Sequence, residues 1–337
     1  MSTTSAPVRA MILAAGFGTR LGPITQRRPK PMLPVCGAPL VRWAVRFLVH
    51  HGVRDIAINL HHLGEQIEHD LGDGSALGAN IHYSPEHGKI LGTGGGLRQA
   101  RPFLDPGDGG PIVVVNGKIL LELDLGAVLA AHAEHGGEAT MVLRPDPAGQ
   151  WGRPLRLDAD QRLVELVGQR NPDVREPVGG PLMFTGVHVM EPRFLDRIPP
   201  EGEQCVVRTA YREAAAQGQV FGFESASYWW EHSTPDRYRQ GVFNVLDGHA
   251  SLPYAEQHLQ GIHAEAEVHA EAKVTGPVWI GAGARVEAGA SVGPHVQLGE
   301  RAVVRSGVSL RRCVVWDGVT AGADAEDAVL VDDDVRG

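Results

Sequence analysis

Cysteine is scarce in this chain: Cys36, Cys205 and Cys313 are the only three, odd in number and far apart. That excludes a disulfide framework and a cysteine-built metal site, and predicts free thiols in a reducing compartment. A basic excess is also missing. Lys and Arg total 31 against 40 Asp and Glu, a net charge of −9, and no basic run offsets it, which argues against a nucleic-acid surface. No apolar stretch approaches the roughly 18 residues of a membrane span, so no membrane partner is expected. The first ten residues are polar and lack the apolar region of a secretory leader; the expected location is cytoplasmic. The 16 histidines, His50-His51 and His61-His62 among them, show no metal-ligand spacing.

What is present is enough apolar residue, 43% of 337, for a sizeable core, and length enough for two domains. Residues 11–15 form an apolar run that reads as a buried first strand. From residue 40 to 145 helix and strand patterns then alternate. Helices are expected over 40–51, 63–71, 97–104 and 125–135, and strands over 55–60, 81–83, 112–115 and 139–143. Such alternation argues for a mostly parallel sheet covered on both faces, with ligands beyond the C-terminal strand ends. Further strands are read at 163–167 and 183–189.

The C-terminal region has a different period. Ile262, Val268, Val274, Ile280, Val286, Val292, Leu298, Val304 and Leu310 recur every six residues, mostly with a small or branched residue two positions before. Residues i and i−2 of a strand share a face, so each hexad turns one pair inward. This is the pattern of a left-handed parallel β-helix, roughly four coils over residues 261–333. Asp332-Asp333-Asp334 reads as a solvated tail.

Two glycine tracts carry the chemistry. Residues 16–35, GFGTRLGPITQRRPKPMLPV, place glycines where a backbone can approach a phosphate, with Arg20 and Lys30 as cationic donors. Residues 91–96, LGTGGG, precede the expected helix at 97 and offer close approach to a flat ring. The first tract resembles the signature of the sugar-1-phosphate nucleotidyltransferases, or NDP-sugar pyrophosphorylases, and the second resembles the segment that lies against nucleobase and sugar. The resemblance implies a Rossmann-like mixed, mostly parallel sheet domain over residues 1–245; a linker over 246–260, with Gly248 and Pro253, separates it from the β-helix domain over 261–337. It implies nucleotide contacts from Leu13, Ala15, Gly16, Gly18, Thr19, Glu86, Gly92 and Thr93, catalytic roles for Arg20 and Lys30, and sugar-phosphate contacts from Asn116, Arg170 and Gly186. Residues 61–85 look most like uridylyltransferases acting on amino-sugar phosphates.

The implied reaction joins a sugar-1-phosphate oxygen to the α-phosphorus of a nucleoside triphosphate and releases pyrophosphate. In the family, Mg²⁺ held by two aspartates bridges the phosphates. Here Lys118 stands at the first of these positions and Glu231 at the second, with Ser233 where a glycine is usual. Arg170 stands near the place of the usual Glu-Lys-Pro. Lysine cannot ligate a cation while protonated, so Mg²⁺ use is doubtful. Two readings remain open: a transferase whose Lys118 ammonium supplies part of the metal's charge, or a silent nucleotide-sugar sensor that regulates a partner. The expected ligands are a nucleoside triphosphate or nucleotide sugar and a sugar 1-phosphate; the expected assembly is a homo-oligomer or a complex with a related active subunit. A third reading, hexapeptide-repeat acyl transfer through His263, His269 or His295, is weaker because six-residue spacing keeps His263 and His269 on adjacent faces.

Overall fold

The computed structural model describes residues 6–333 and the backbone of 335 and 336. The chain forms two compact units. One comprises Met1–Gly16, Ala44–Gly117 and Leu123–Ser227; the other comprises Phe17–Trp43, Lys118–Glu122 and Tyr228–Gly337.

The first unit is built on a mixed sheet. Its strand order is Val220–Glu224, Ala139–Pro145, Val178–Met190, Ile112–Asn116, Arg9–Leu13, Asp55–Leu60 and Asn80–Pro85. The last four lie parallel to one another, as do the first two, and Val178–Met190 runs antiparallel to both its neighbours. Ile112, Val113, Val114 and Val115 are all fully buried, the uninterrupted apolar run that a central strand covered on both faces demands. Met11, Leu97, Val114, Met141, Phe194 and Tyr211 belong to one core.

Among the boundaries that differ from the sequence expectation, three have a clear physical reason. The first strand ends at Leu13 because the Ala14 N–H leaves the ladder and donates to the Asn59 side chain at 2.8 Å. The helix expected at 97 begins at Gly92. Its glycine-rich first turns are fixed by packing on a neighbouring segment, with the Gly94 N–H donating to the Gln204 carbonyl at 2.8 Å. The strand expected over 163–167 is a small hairpin, Glu165–Leu166 against Gln169–Arg170, which turns at Val167 with φ of 52°.

The second unit holds the β-helix. One stacked position runs Ile262, Ile280, Leu298, Val315 and Leu330, so the hexad period is kept at first and the last coils are shorter. Ala284, Val286, Ala290, Val292, Ala302 and Val304 point inward and are buried. Ile262 is 50% exposed because, among the described residues, its strand is the edge of its stack. The acidic run faces solvent but is tied down: Asp332 lies 2.8 Å from Arg27, and Asp333, exposed, accepts the Thr320 N–H at 2.6 Å, while Asp334 lies outside the described residues. His263 and His269 each accept the backbone N–H two residues on, and His295 lies 2.8 Å from Asp247.

Residues 17–43 belong to this same unit, and buried polar groups fix them there. Gln297, 1% exposed, accepts the Cys36 N–H at 2.7 Å and donates to the Pro34 carbonyl at 3.1 Å. The Tyr238 hydroxyl donates to Pro34 at 2.8 Å and accepts the Trp316 indole N–H at 3.1 Å. Arg28 stacks over Trp316 with its guanidinium 4.6 Å from the ring centroid. No helix among the described residues is long and apolar enough to cross a membrane.

Candidate active site

In the sheet unit, a buried polar chain holds the second glycine tract. Asn59, at the end of its apolar strand, accepts the Ala14 N–H and donates to Glu86 Oε1 at 2.7 Å; Glu86 Oε2 accepts the Leu91 N–H at 2.6 Å. Glu86 is 3% exposed, with both carboxylate oxygens engaged inside the unit. A Cβ at position 96 would fall 2.8 Å from Asn59 Nδ2 and 3.0 Å from Glu86 Oε1, so glycine there is what lets the helix rest on the pair. Thr93 accepts the Val206 N–H at 2.9 Å, and a Cβ at Gly92 would strike the Gln204 carbonyl. The tract is therefore a rigid floor.

Leu13 accepts the Gly117 N–H at 3.0 Å, which carries the chain past Asn116 into the turn before Lys118. Asn116 and Gly186 are in close contact: Gly186 has φ of 83°, and a Cβ there would lie 2.0 Å from Asn116 Nδ2. Ala15 is buried and Gly16 exposed at the end of this segment. Arg170 stands apart on its hairpin, exposed, with Glu176 at 3.6 Å.

The charged part lies in the β-helix unit. Ile119–Leu121 pairs antiparallel with Trp229–Glu231, setting Ile119 opposite Glu231 and so bringing Lys118 to that carboxylate. The Lys118 ammonium is 2.5 Å from Glu231 Oε2. Two more cations face Oε1: Arg20 at 3.6 Å and Arg237 at 3.8 Å. Arg237 is placed by the next helix, Pro235–Leu246, whose Thr234 cap accepts the Arg237 N–H at 3.2 Å and whose first residue is proline. The His232 backbone N–H, at 3.1 Å, and its Nδ1, at 3.3 Å, both contact the Lys118 carbonyl. Burial pushes the His232 imidazole down to about 4, so it is neutral at pH 7.

Burial alone would raise the Glu231 carboxyl, but the charge and hydrogen bond of Lys118, with Arg20 behind them, outweigh it and hold the group at about 2. Lys30 is pushed down to about 8, first by burial and then by repulsion from Lys118 and Arg20, with Glu231 opposing. Gly18 and Thr19 open the short turn that carries Arg20, and the Thr25 hydroxyl donates to the Gly18 carbonyl at 3.3 Å. The result is four cationic side chains around one carboxylate, a receptor for a polyanion.

Mg²⁺ does not fit these donors. A magnesium ion needs oxygen ligands in a near-octahedral shell. Glu231 is the carboxylate here, and its oxygens already face three cations, with the Lys118 ammonium at 2.5 Å. Among the described residues no three His, Cys, Asp or Glu side chains gather into a cation site.

Sequence reasoning singled out Lys118, Glu231, Arg20 and Lys30. It missed Asn59, a polar residue closing an apolar strand, and Arg237, whose signal was the Thr-Pro helix start. Gln297 and Trp316 carried no signal, since hexad positions away from the inward pair look interchangeable in sequence.

Residues 9–152 match the Nucleotidyl transferase family model. A UTP–glucose-1-phosphate uridylyltransferase of Synechocystis is 30% identical over 89% of this chain and 82% of its own. An N-acetylmuramate alpha-1-phosphate uridylyltransferase of Neisseria meningitidis is 37% identical over 69% of this chain and 96% of its own. A mannose-1-phosphate guanylyltransferase of Mycobacterium tuberculosis is 30% identical over 91% and 83%. A solved Bacillus anthracis chain, assigned as a glucose-1-phosphate thymidylyltransferase, shares the fold with a TM-score of 0.58 at 22% identity, over 70% of this chain and 94% of that one. With these relatives matched over most of their length, the chain belongs to the sugar-1-phosphate nucleotidyltransferase family.

Proposed function

We propose that this protein binds a nucleoside triphosphate or nucleotide sugar together with a sugar 1-phosphate, and that its transfer step is slow because lysine has replaced the metal. The observation that carries this is the Lys118 ammonium 2.5 Å from Glu231. Arg20, Lys30, Lys118 and Arg237 neutralise the phosphates and hold them in place. Monovalent cations cannot draw charge from the α-phosphate as a bound dication does, so attack by the sugar-phosphate oxygen is weakly assisted.

Calorimetry of UTP and GTP in chelator and in Mg²⁺, with pyrophosphate release measured in parallel, tests the reading. Binding is expected in chelator, with little gain on adding Mg²⁺. The K118D/E231D double variant is expected to bind only with Mg²⁺ and to release pyrophosphate faster. Rapid Mg²⁺-dependent turnover by the wild type overturns the reading; binding with no turnover at all assigns a sensor or regulatory subunit.

The relatives differ in base and in sugar, so the acceptor has to be read from this chain's own surfaces. The assembly belongs to the same proposal: a second copy, or a related active subunit, stacks on the open first coil at Ile262 and Val268. I262E/V268E should sediment at lower mass than the wild type, and equal masses would remove this part. Free Cys36, Cys205 and Cys313 suit a reducing cytoplasm.

A further inference from the structure

The sheet unit contains a cavity of about 490 Å³ that none of the site residues named so far explains. Its walls include Met141, Trp151, Phe184 and Val207, and two of its lining residues are Arg153 and Arg208. The volume falls in the range of small-molecule sites. No lining residue is acidic, and none is an asparagine, glutamine, serine or threonine.

That lining is a poor match for a plain neutral sugar. A ring of hydroxyls needs side-chain acceptors as well as donors, and these side chains offer two guanidinium groups, the Trp151 indole N–H and apolar surface, with no oxygen acceptor among them. The two guanidinium groups are exposed, and among the described residues neither has an ion-pair or side-chain hydrogen-bond partner. Arginine's planar fork matches a carboxylate in two parallel hydrogen bonds. Met141, Phe184 and Val207 suit a short apolar arm.

The loop that presents Trp151 is firmly set. Asp146, 6% exposed, accepts the Gln150 N–H at 3.0 Å and the Trp151 N–H at 2.9 Å through its two oxygens. Phe184 lies two residues before Gly186 on the Val178–Met190 strand, so the strand that meets Asn116 also supplies a wall of the cavity. The cations that suit a triphosphate, Arg20, Lys30, Lys118 and Arg237, belong to the other unit. Arg153 and Arg208 are therefore cations separate from that cluster.

We infer that this cavity selects the acceptor: a sugar 1-phosphate bearing a carboxylate on a short apolar arm, with Arg153 and Arg208 as the residues that read the carboxylate. The inference rests on the proposed function for its substrate class and refines it.

The test compares N-acetylmuramate 1-phosphate, whose lactyl ether carries a carboxylate, with the same molecule carrying the lactyl carboxamide. Both are titrated into the full-length wild type and the R153Q/R208Q variant, with and without UTP, and thermal melts check that the variant is folded. The wild type should prefer the acid by about tenfold or more, as hydrogen bonds to a charged group imply, and the variant by less than about threefold. Equal affinity of the wild type for acid and amide overturns the inference, as does an unchanged preference in the variant. An equal loss for both compounds overturns it too, by assigning the arginines to the 1-phosphate. Preference for the acid in a protein that binds no nucleotide keeps this inference and removes the transferase reading; UTP binding without preference does the reverse. Failure of a folded wild type to bind either compound removes the inference.

Discussion

The sheet unit and the β-helix unit hold their candidate site groups by different means. In the sheet unit backbone packing sets the floor: glycines press a helix onto an Asn59–Glu86 pair whose hydrogen-bonding groups are matched. The β-helix unit, like the sheet unit, gathers three separated stretches of chain. Buried polar side chains tie its signature segment in place, and charge remains in excess where phosphates would bind. A matched network favours one rigid shape, whereas an unmatched one has affinity stored for an anion.

The largest expected effect breaks the β-helix side of this contrast. Trp316 is almost fully buried, donates to Tyr238 and carries Arg28 on its face. Trp316→Ala should cost about 3–5 kcal/mol of stability, the range for removing a large core aromatic. Urea denaturation gives the value, and a loss below about 1 kcal/mol would mean that the signature segment does not depend on this residue. The matching change in the sheet unit is Asn59→Ala, which leaves the Ala14 N–H and one Glu86 oxygen without partners. About 2–3 kcal/mol is expected, from two buried groups left unsatisfied. If the two variants cost the same, the contrast in construction has no energetic content.

Arg20→Ala acts on binding rather than folding, because Arg20 is 58% exposed and its contact with Glu231 is long at 3.6 Å. Triphosphate affinity should fall by about 1.5–3 kcal/mol, the value for a hydrogen bond to a charged group. Unchanged affinity by calorimetry would make the first glycine tract a structural turn only.

The two units also differ in how far sequence could reveal them. Period-two and period-3.6 patterns marked most of the sheet unit's strands and helices, because burial there follows local apolar spacing. The hexads marked the β-helix through Leu310, then lost it as the coils shortened toward Val315 and Leu330. The glycine tract reads in sequence as preceding a helix at 97 rather than opening it, since what makes it helical is the distant segment at Gln204, which local sequence does not report. Lys118 and Glu231 were legible as a departure from a motif; their 2.5 Å contact depends on the pairing of Ile119–Leu121 with Trp229–Glu231. Arg153 and Arg208 carried no motif, and only the fold places both on one cavity.

The smallest expected effect is a pH dependence that separates binding from stability at one side chain. Lys30 titrates near 8 in the folded chain and at 10.5 when unperturbed. Between those values the unfolded chain carries more protons than the folded one, so this group makes stability rise with pH from about 8 toward 10.5. Its unfavourable contribution is present in full below about 8 and is relieved above it. Phosphate binding goes the other way, because it needs the protonated ammonium. A triphosphate fully ionised across this range should lose about five- to tenfold in affinity between pH 7.5 and 9, as the free protein gives up that proton. Glu231 governs the acid side: with its carboxyl at about 2 against 4.5, its contribution is present above 4.5 and lost as pH falls toward 2. The check is calorimetry and thermal melting of wild type and Lys30→Gln across pH 7 to 10. In the wild type, affinity should fall while the Lys30 contribution to stability rises, and in Lys30→Gln both dependences should flatten. A binding slope that survives the substitution would assign the proton to another group, and the cationic cluster would then hold phosphate without help from Lys30.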